Sequence, residues 1–289
     1  MKIRPESLPL ASGVAPLTTA KARFGALLSG RPFAAFVALA YLWSWLFWTV
    51  AALTPDPIDV IAHYVGGFGP LLAAMVVVRT QGGSVIRWVK GLFIWRVSPA
   101  WYVFVLGFPA LLVTVTSFGY LLLGYSLDLS VGPSRLLAYV PTLLLLVAIG
   151  GGNEEPGWRG FGLGESQQTH GPILATLILG SIWALWHLPL LATSPYVMIG
   201  GTDLPAIATI VGVTFASITA HSFWYTWVIN RTGSVLLCML LHGGYNAANG
   251  LLLLVPRAEV ETNYAPLLIR RQRFCWAPCC CLSLPPAAV

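Results

Sequence analysis

Long apolar runs, separated by short clusters of Pro, Gly and polar residues, dominate the chain. They fall roughly at Phe33 to Leu53, Ile58 to Val78, Trp101 to Tyr125, Leu136 to Gly150, Pro172 to Ala192, Pro205 to Ile229 and Ser234 to Val255. A hydrocarbon core of about 30 Å, crossed at about 1.5 Å per residue, takes about 20 residues, so these runs predict membrane helices. Lipid leaves every backbone N–H and C=O to be satisfied internally, and continuous runs rather than short alternations select helices over a barrel. The predicted fold class is all-α: a polytopic transmembrane helical bundle of about seven to eight membrane helices. Breaks such as Thr54-Pro55-Asp56-Pro57 and Thr193-Ser194-Pro195 close helices and leave no room for a separate soluble domain. The chain divides into an N-terminal arm (1–32), the bundle (33–255) and a Cys-rich tail (256–289).

Composition reinforces this picture: 57% hydrophobic residues, 9% charged residues and a mean hydropathy of +0.77 lie outside the range of soluble domains. The +6 net charge is unevenly placed. Lys2, Arg4, Lys21, Arg23 and Arg31 lie on the arm, and Arg79, Arg87, Lys90 and Arg96 follow the second run, whereas Asp56 and Asp59 follow the first. The positive-inside rule then predicts a cytoplasmic N-terminus. The charge is a topology and anionic-lipid signal, with the bilayer rather than nucleic acid as partner. The run Phe33 to Leu53 is too long and too far from the start for a cleaved signal, and reads as a retained helix. A seventh span would place Arg257, Arg270, Arg271 and Arg273 outside, so either a short eighth helix intervenes or the tail is atypical. Cys275, Cys279, Cys280 and Cys281 crowd into that tail without a His or a second Cys cluster, which argues against a zinc site there.

Ionisable groups at membrane depth cost roughly 2.5–3.5 kcal/mol each, so polar residues within apolar segments are where chemistry is to be sought. In Asn153-Glu154-Glu155-Pro156-Gly157-Trp158-Arg159, Asn153 suits an N-cap and Pro156 a first helical turn. Glu155 and Arg159 are then one turn apart and able to pair. Neighbouring carboxylates in a poorly hydrated site raise each other's pKa while Arg159 opposes this, which equips one Glu as a base near neutral pH. A solvated loop with an incidental ion pair accounts for the same string. Trp183 and His187 share a helix face, as do His242 and Asn246, with Gly243 and Gly244 allowing close packing. An imidazole and a carboxamide together hold a water, a metal or an oxyanion, or else serve as polar glue between helices. His63, His170 and His221 have no such neighbour in sequence and read as structural or surface residues.

The order EExxxR, aromatic-xxx-His, then Arg231-Thr232-Gly233-Ser234 leading into HxxxN resembles the CPBP family of CAAX proteases and bacteriocin-processing enzymes, over roughly Leu136 to Leu254. That resemblance implies an intramembrane endopeptidase acting on a peptide or on a membrane-associated or lipid-modified protein, and the compact architecture points to the bacterial plasma membrane. Glu154 would be the general base, with Glu155 and Arg159 beside it. His187 would help hold the water, and His242 with Asn246 would stabilise the oxyanion or bind metal. The family's metallopeptidase label implies a divalent metal, zinc before others, at His187 and His242. The chain has no HExxH, and two histidines with a carboxylate make a minimal zinc set. Nothing in the sequence indicates an oligomeric state. The resemblance also admits a non-catalytic membrane binding protein, such as a bacteriocin self-immunity factor, although every candidate catalytic group is present. Trp183 stands where the family often has Phe, and the Cys-rich tail stands where family members continue into a final apolar helix.

Overall fold

The structure, a computed structural model, describes residues 30–130, 132–192, 204–252 and 254. The arm as far as residue 29, the Thr193-Ser194-Pro195 break and the Cys-rich tail lie outside the described residues. All regular structure among the described residues is helical: α1 (Pro32–Leu53), α2 (Ile58–Gly66), α3 (Gly69–Thr80), α4 (Val85–Leu92), α5 (Pro99–Leu122) and α6 (Gly132–Leu146). Then come π1 (Val147–Gly151), α7 (Glu155–Gly157), π2 (Trp158–Gly162), α8 (Leu163–Gln167), α9 (Pro172–Trp186), α10 (Leu188–Ala192), α11 (Leu204–Thr232) and α12 (Val235–Leu251). The all-α bundle read from the apolar runs is thus the observed architecture, and the chain is a multi-pass integral membrane protein.

The expected count of about seven to eight spans is not reached among the described residues. Among the described residues five helices are long and apolar enough to cross a membrane, and six if α2 and α3, bent by 44° at their junction, form one broken span. The run Ile58 to Val78 therefore is not one straight helix. Pro70 at the start of α3 cannot continue an α-helical ladder, and Gly66 lies so close to Trp48 that a Cβ there would be 2.5 Å from its indole nitrogen. The run from Ser234 yields α12, whose 17 residues at about 1.5 Å each fall short of an approximately 30 Å core.

α1 packs on α2 and α3, α9 on α11, and α12 on α5, α6 and π1. Phe36, Trp158, Trp186 and Trp48 form a chain of ring contacts with centroids 4.5–5.6 Å apart, fixing π2 and α9 against α1. The outer surface stays apolar: Leu122 is 88% and Leu137 82% exposed, as expected of side chains that face lipid.

Where π1 meets α12 the backbones touch. A Cβ on Gly151 would lie 2.5 Å from the Met239 carbonyl oxygen, and one on Gly243 would lie 2.6 Å from the Val147 nitrogen. These two glycines let α12 approach closely enough to bring His242 beside the acidic segment. At the other end of α12, Gly233 takes a φ of +69° that glycine alone adopts freely. Ser234 then caps α12 by accepting a hydrogen bond from the Leu237 amide. Arg231-Thr232-Gly233-Ser234 is therefore the corner that turns α11 into α12.

Candidate active site

Glu154 and Glu155 lie between two π turns, a local widening in which a helix places side chains off its regular stripe and which recurs at functional sites. The capping expectation needs correction. Glu154, not Asn153, is the N-cap of α7, because the chain is already helically coiled through π1 when it reaches Gly152. Asn153 is buried instead, its amide nitrogen packed against Gly67 and its Oδ1 without a hydrogen bond. Pro156 does occupy the first turn, where its missing N–H costs no intrahelical bond.

Glu155 and Arg159 pair as their spacing predicts, with Arg159 Nη1 donating to Glu155 Oε1 at 3.1 Å. The same oxygen accepts from His242 Nδ1 at 2.8 Å, so one carboxylate joins π2 to α12. Both carboxylates and Arg159 are at most 3% exposed. Charges so deep persist only when paired, and here a guanidinium and an imidazole share one carboxylate. The Arg159 guanidinium also lies 4.4 Å from both the Trp183 and the Tyr225 ring centroids and donates to Ser222 Oγ at 3.1 Å.

Trp183 ties the site together. Its indole N–H donates to Glu154 Oε2 at 2.8 Å, and its ring lies 5.5 Å from His242 and 5.7 Å from His187, centroid to centroid. His187, half-buried just beyond α9, makes a 2.7 Å hydrogen bond from Nδ1 to the Trp183 carbonyl. A carbonyl only accepts, so Nδ1 carries the proton and Nε2 is the acceptor nitrogen of the neutral ring. Asn246 lies one turn beyond His242 on α12, half-buried. Glu154 lies outside the spans, in the 152–171 connection, and its burial pushes its carboxyl up to about 7. His242, the Trp183 hydrogen bond and Arg159 pull it down, and Glu155 pushes it further up.

The oxygen shared by Arg159 and His242 is poorly suited to hold a metal ion. Glu155 Oε1 is already engaged by a cationic guanidinium and by His242 Nδ1, and a divalent cation there would face the Arg159 charge at close range. Among the described residues no three His, Cys, Asp or Glu side chains converge as a ligand set.

Of the residues singled out in the sequence, Glu155, Arg159 and His242 form one hydrogen-bonded chain, joined through Trp183 to Glu154 and His187. Asn246 sits on the face of α12 adjoining them. Ser222, Tyr225 and Trp88 were not legible. Ser222 and Tyr225 lie one turn apart in the apolar stretch Ser222-Phe223-Trp224-Tyr225, with no spacing that sets them apart from other small and aromatic residues of α11. Trp88, on the short amphipathic α4, donates its indole N–H to the Gly160 carbonyl of π2 at 3.1 Å.

A helical membrane protein with a buried glutamate pair, an arginine and two histidines on neighbouring helices is the class that the fold and site define. Residues 135–248 match the family model described as Type II CAAX prenyl endopeptidase Rce1-like. This segment holds all six candidate residues and is similar to that family, in line with the resemblance read from the motifs. A stretch of 53 residues is 38% identical to the protein named CAAX prenyl protease 2 of Methanococcus maripaludis. That stretch covers 18% of this chain and 19% of the relative, so the two are aligned over about a fifth of their lengths.

Proposed function

We propose that this protein is an intramembrane endopeptidase in which Glu154 activates a water molecule for attack on a peptide carbonyl. The observation that carries the reading is the placement of Glu154: a buried carboxylate, held by the Trp183 indole and pushed to a pKa of about 7, adjoining a Glu155–His242 dyad. A base with that pKa is matched to work near neutral pH. His187 Nε2, the ring's acceptor nitrogen, would receive a hydrogen bond from the same water. The water oxygen adds to the carbonyl carbon as its proton passes to Glu154. The tetrahedral oxyanion would be met by the Asn246 amide and by His242. His242 commits Nδ1–H to Glu155, so a hydrogen bond from this ring to the oxyanion comes from Nε2 and requires a proton there as well. Collapse breaks the C–N bond, and the proton on Glu154 goes to the departing amine. No step passes through a metal ion.

The substrate proposed is a peptide or protein segment held at the membrane, including the end of a lipid-modified protein. The match to a protein named for CAAX prenyl proteolysis and the apolar surround of the site support that class. Cleavage of a peptide library by the detergent-purified protein, wild type beside Glu154→Ala, tests the reading. Wild-type products missing from the well-folded variant uphold it. Identical product patterns from the two proteins sink it and leave the binding or self-immunity role.

A further inference from the structure

We infer that Ser222 and Tyr225 on α11 are positioning residues for this reaction, holding the Arg159 guanidinium that, through Glu155, fixes the His242 ring. The inference rests on the endopeptidase reading above. Glu155 already balances the Arg159 charge, so what Ser222 and Tyr225 add is direction. Ser222 Oγ donates its own proton to the Ile218 carbonyl at 3.2 Å, which turns its lone pairs toward Arg159 Nη2 at 3.1 Å. The Tyr225 ring stands at 82° to Trp183 with centroids 5.7 Å apart, and the guanidinium occupies the corner between them at 4.4 Å from each. Tyr225 also lies 5.8 Å from the His242 ring, so it bounds both ends of the chain.

The helix packing is shaped around this contact. A Cβ on Gly180 of α9 would sit 2.8 Å from Ser222 Oγ and 3.2 Å from Thr219 Cα, so a glycine at this position leaves the hydroxyl its place between α9 and Arg159. One oxygen, Glu155 Oε1, serves both Arg159 and His242. A guanidinium that swings away therefore frees the carboxylate to rotate, and His242 loses the partner that sets its tautomer and tilt.

The test measures kcat and KM of the full-length protein in detergent. Ser222→Ala is expected to lower kcat about tenfold, with KM within about twofold, because geometry and not substrate affinity is lost. Tyr225→Phe, which keeps the ring face, is expected to retain activity within about twofold, while Tyr225→Leu loses about tenfold. In an Arg159→Lys background, which lacks the guanidinium fork, Ser222→Ala is expected to change kcat by less than about twofold. A merely structural hydroxyl would give the same fall in both backgrounds, and that result overturns the inference while leaving the peptidase reading intact. An unchanged kcat in Ser222→Ala and Tyr225→Leu overturns it as well. Absence of Glu154-dependent cleavage by the wild type overturns the functional reading and this inference together.

Discussion

Glu154 and Glu155 are neighbours in sequence with different surroundings, and their expected roles follow from that difference. Glu154 meets a neutral indole donor, whereas Glu155 meets a guanidinium and an imidazole on a single oxygen. As a base, Glu154 must be ionised. Its pKa is raised to about 7, so the carboxylate is lost as pH falls through that value. The expected kcat/KM profile therefore has an acid limb near 7, falling about tenfold per pH unit below it. A limb near 4 would assign the base elsewhere. Glu154→Gln keeps the shape and removes the base, and kcat is expected to fall by about 10²–10⁴-fold. Circular dichroism and melting temperature, unchanged from the wild type, would separate that loss from unfolding.

At the scale of elements, the site is made by helices that approach unusually closely. π1 and α12 touch through Gly151 and Gly243, and α7 meets α3 where a Cβ on Gly157 would lie 2.4 Å from the Pro70 carbonyl. Gly243→Ala should therefore force π1 and α12 apart and destabilise the protein by about 1–3 kcal/mol, read as a lowered melting temperature. The same displacement draws His242 from Glu155, so kcat should fall by more than the folded fraction does. Much of this was legible beforehand. The apolar runs located α1, α5, α9 and α11, the spacing of Glu155 and Arg159 gave their pairing, and Gly243 beside His242 pointed to close packing. The bend between α2 and α3 was not read from the sequence, since hydropathy runs continuously across Gly67, although Pro70 stands in the run; the contact of Gly66 with Trp48 fixes where the break falls. Nor was the cap at Glu154, because π1 extends helical geometry past the position where Asn153 would have begun it.

At the scale of the molecule, two charged side chains and an imidazole meet inside an apolar bundle. Arg159 and His242 both engage Oε1 of Glu155, and the Arg159 charge stands close to any cation that would bind this carboxylate. Treatment with a chelator is accordingly expected to leave cleavage within about twofold of the untreated rate, measured on protein purified without added metal. A chelator-induced loss restored by zinc would place an ion at the histidines and overturn the metal-free scheme.

The sequence by itself determined that this chain lives in a membrane, that its elements are helices, and which Glu, Arg, His and Asn residues are the candidates for chemistry. Hydropathy and the cost of burying charge act on each segment independently, so they can be read along the chain. Only the tertiary structure decided which residue faces which. Ser222 and Tyr225 come to Arg159, and His242 to Glu155, across 63 to 87 residues of sequence. Close packing of α9, α11 and α12 makes those contacts, and a side chain's partner across helices depends on their approach and rotation, which no local pattern records.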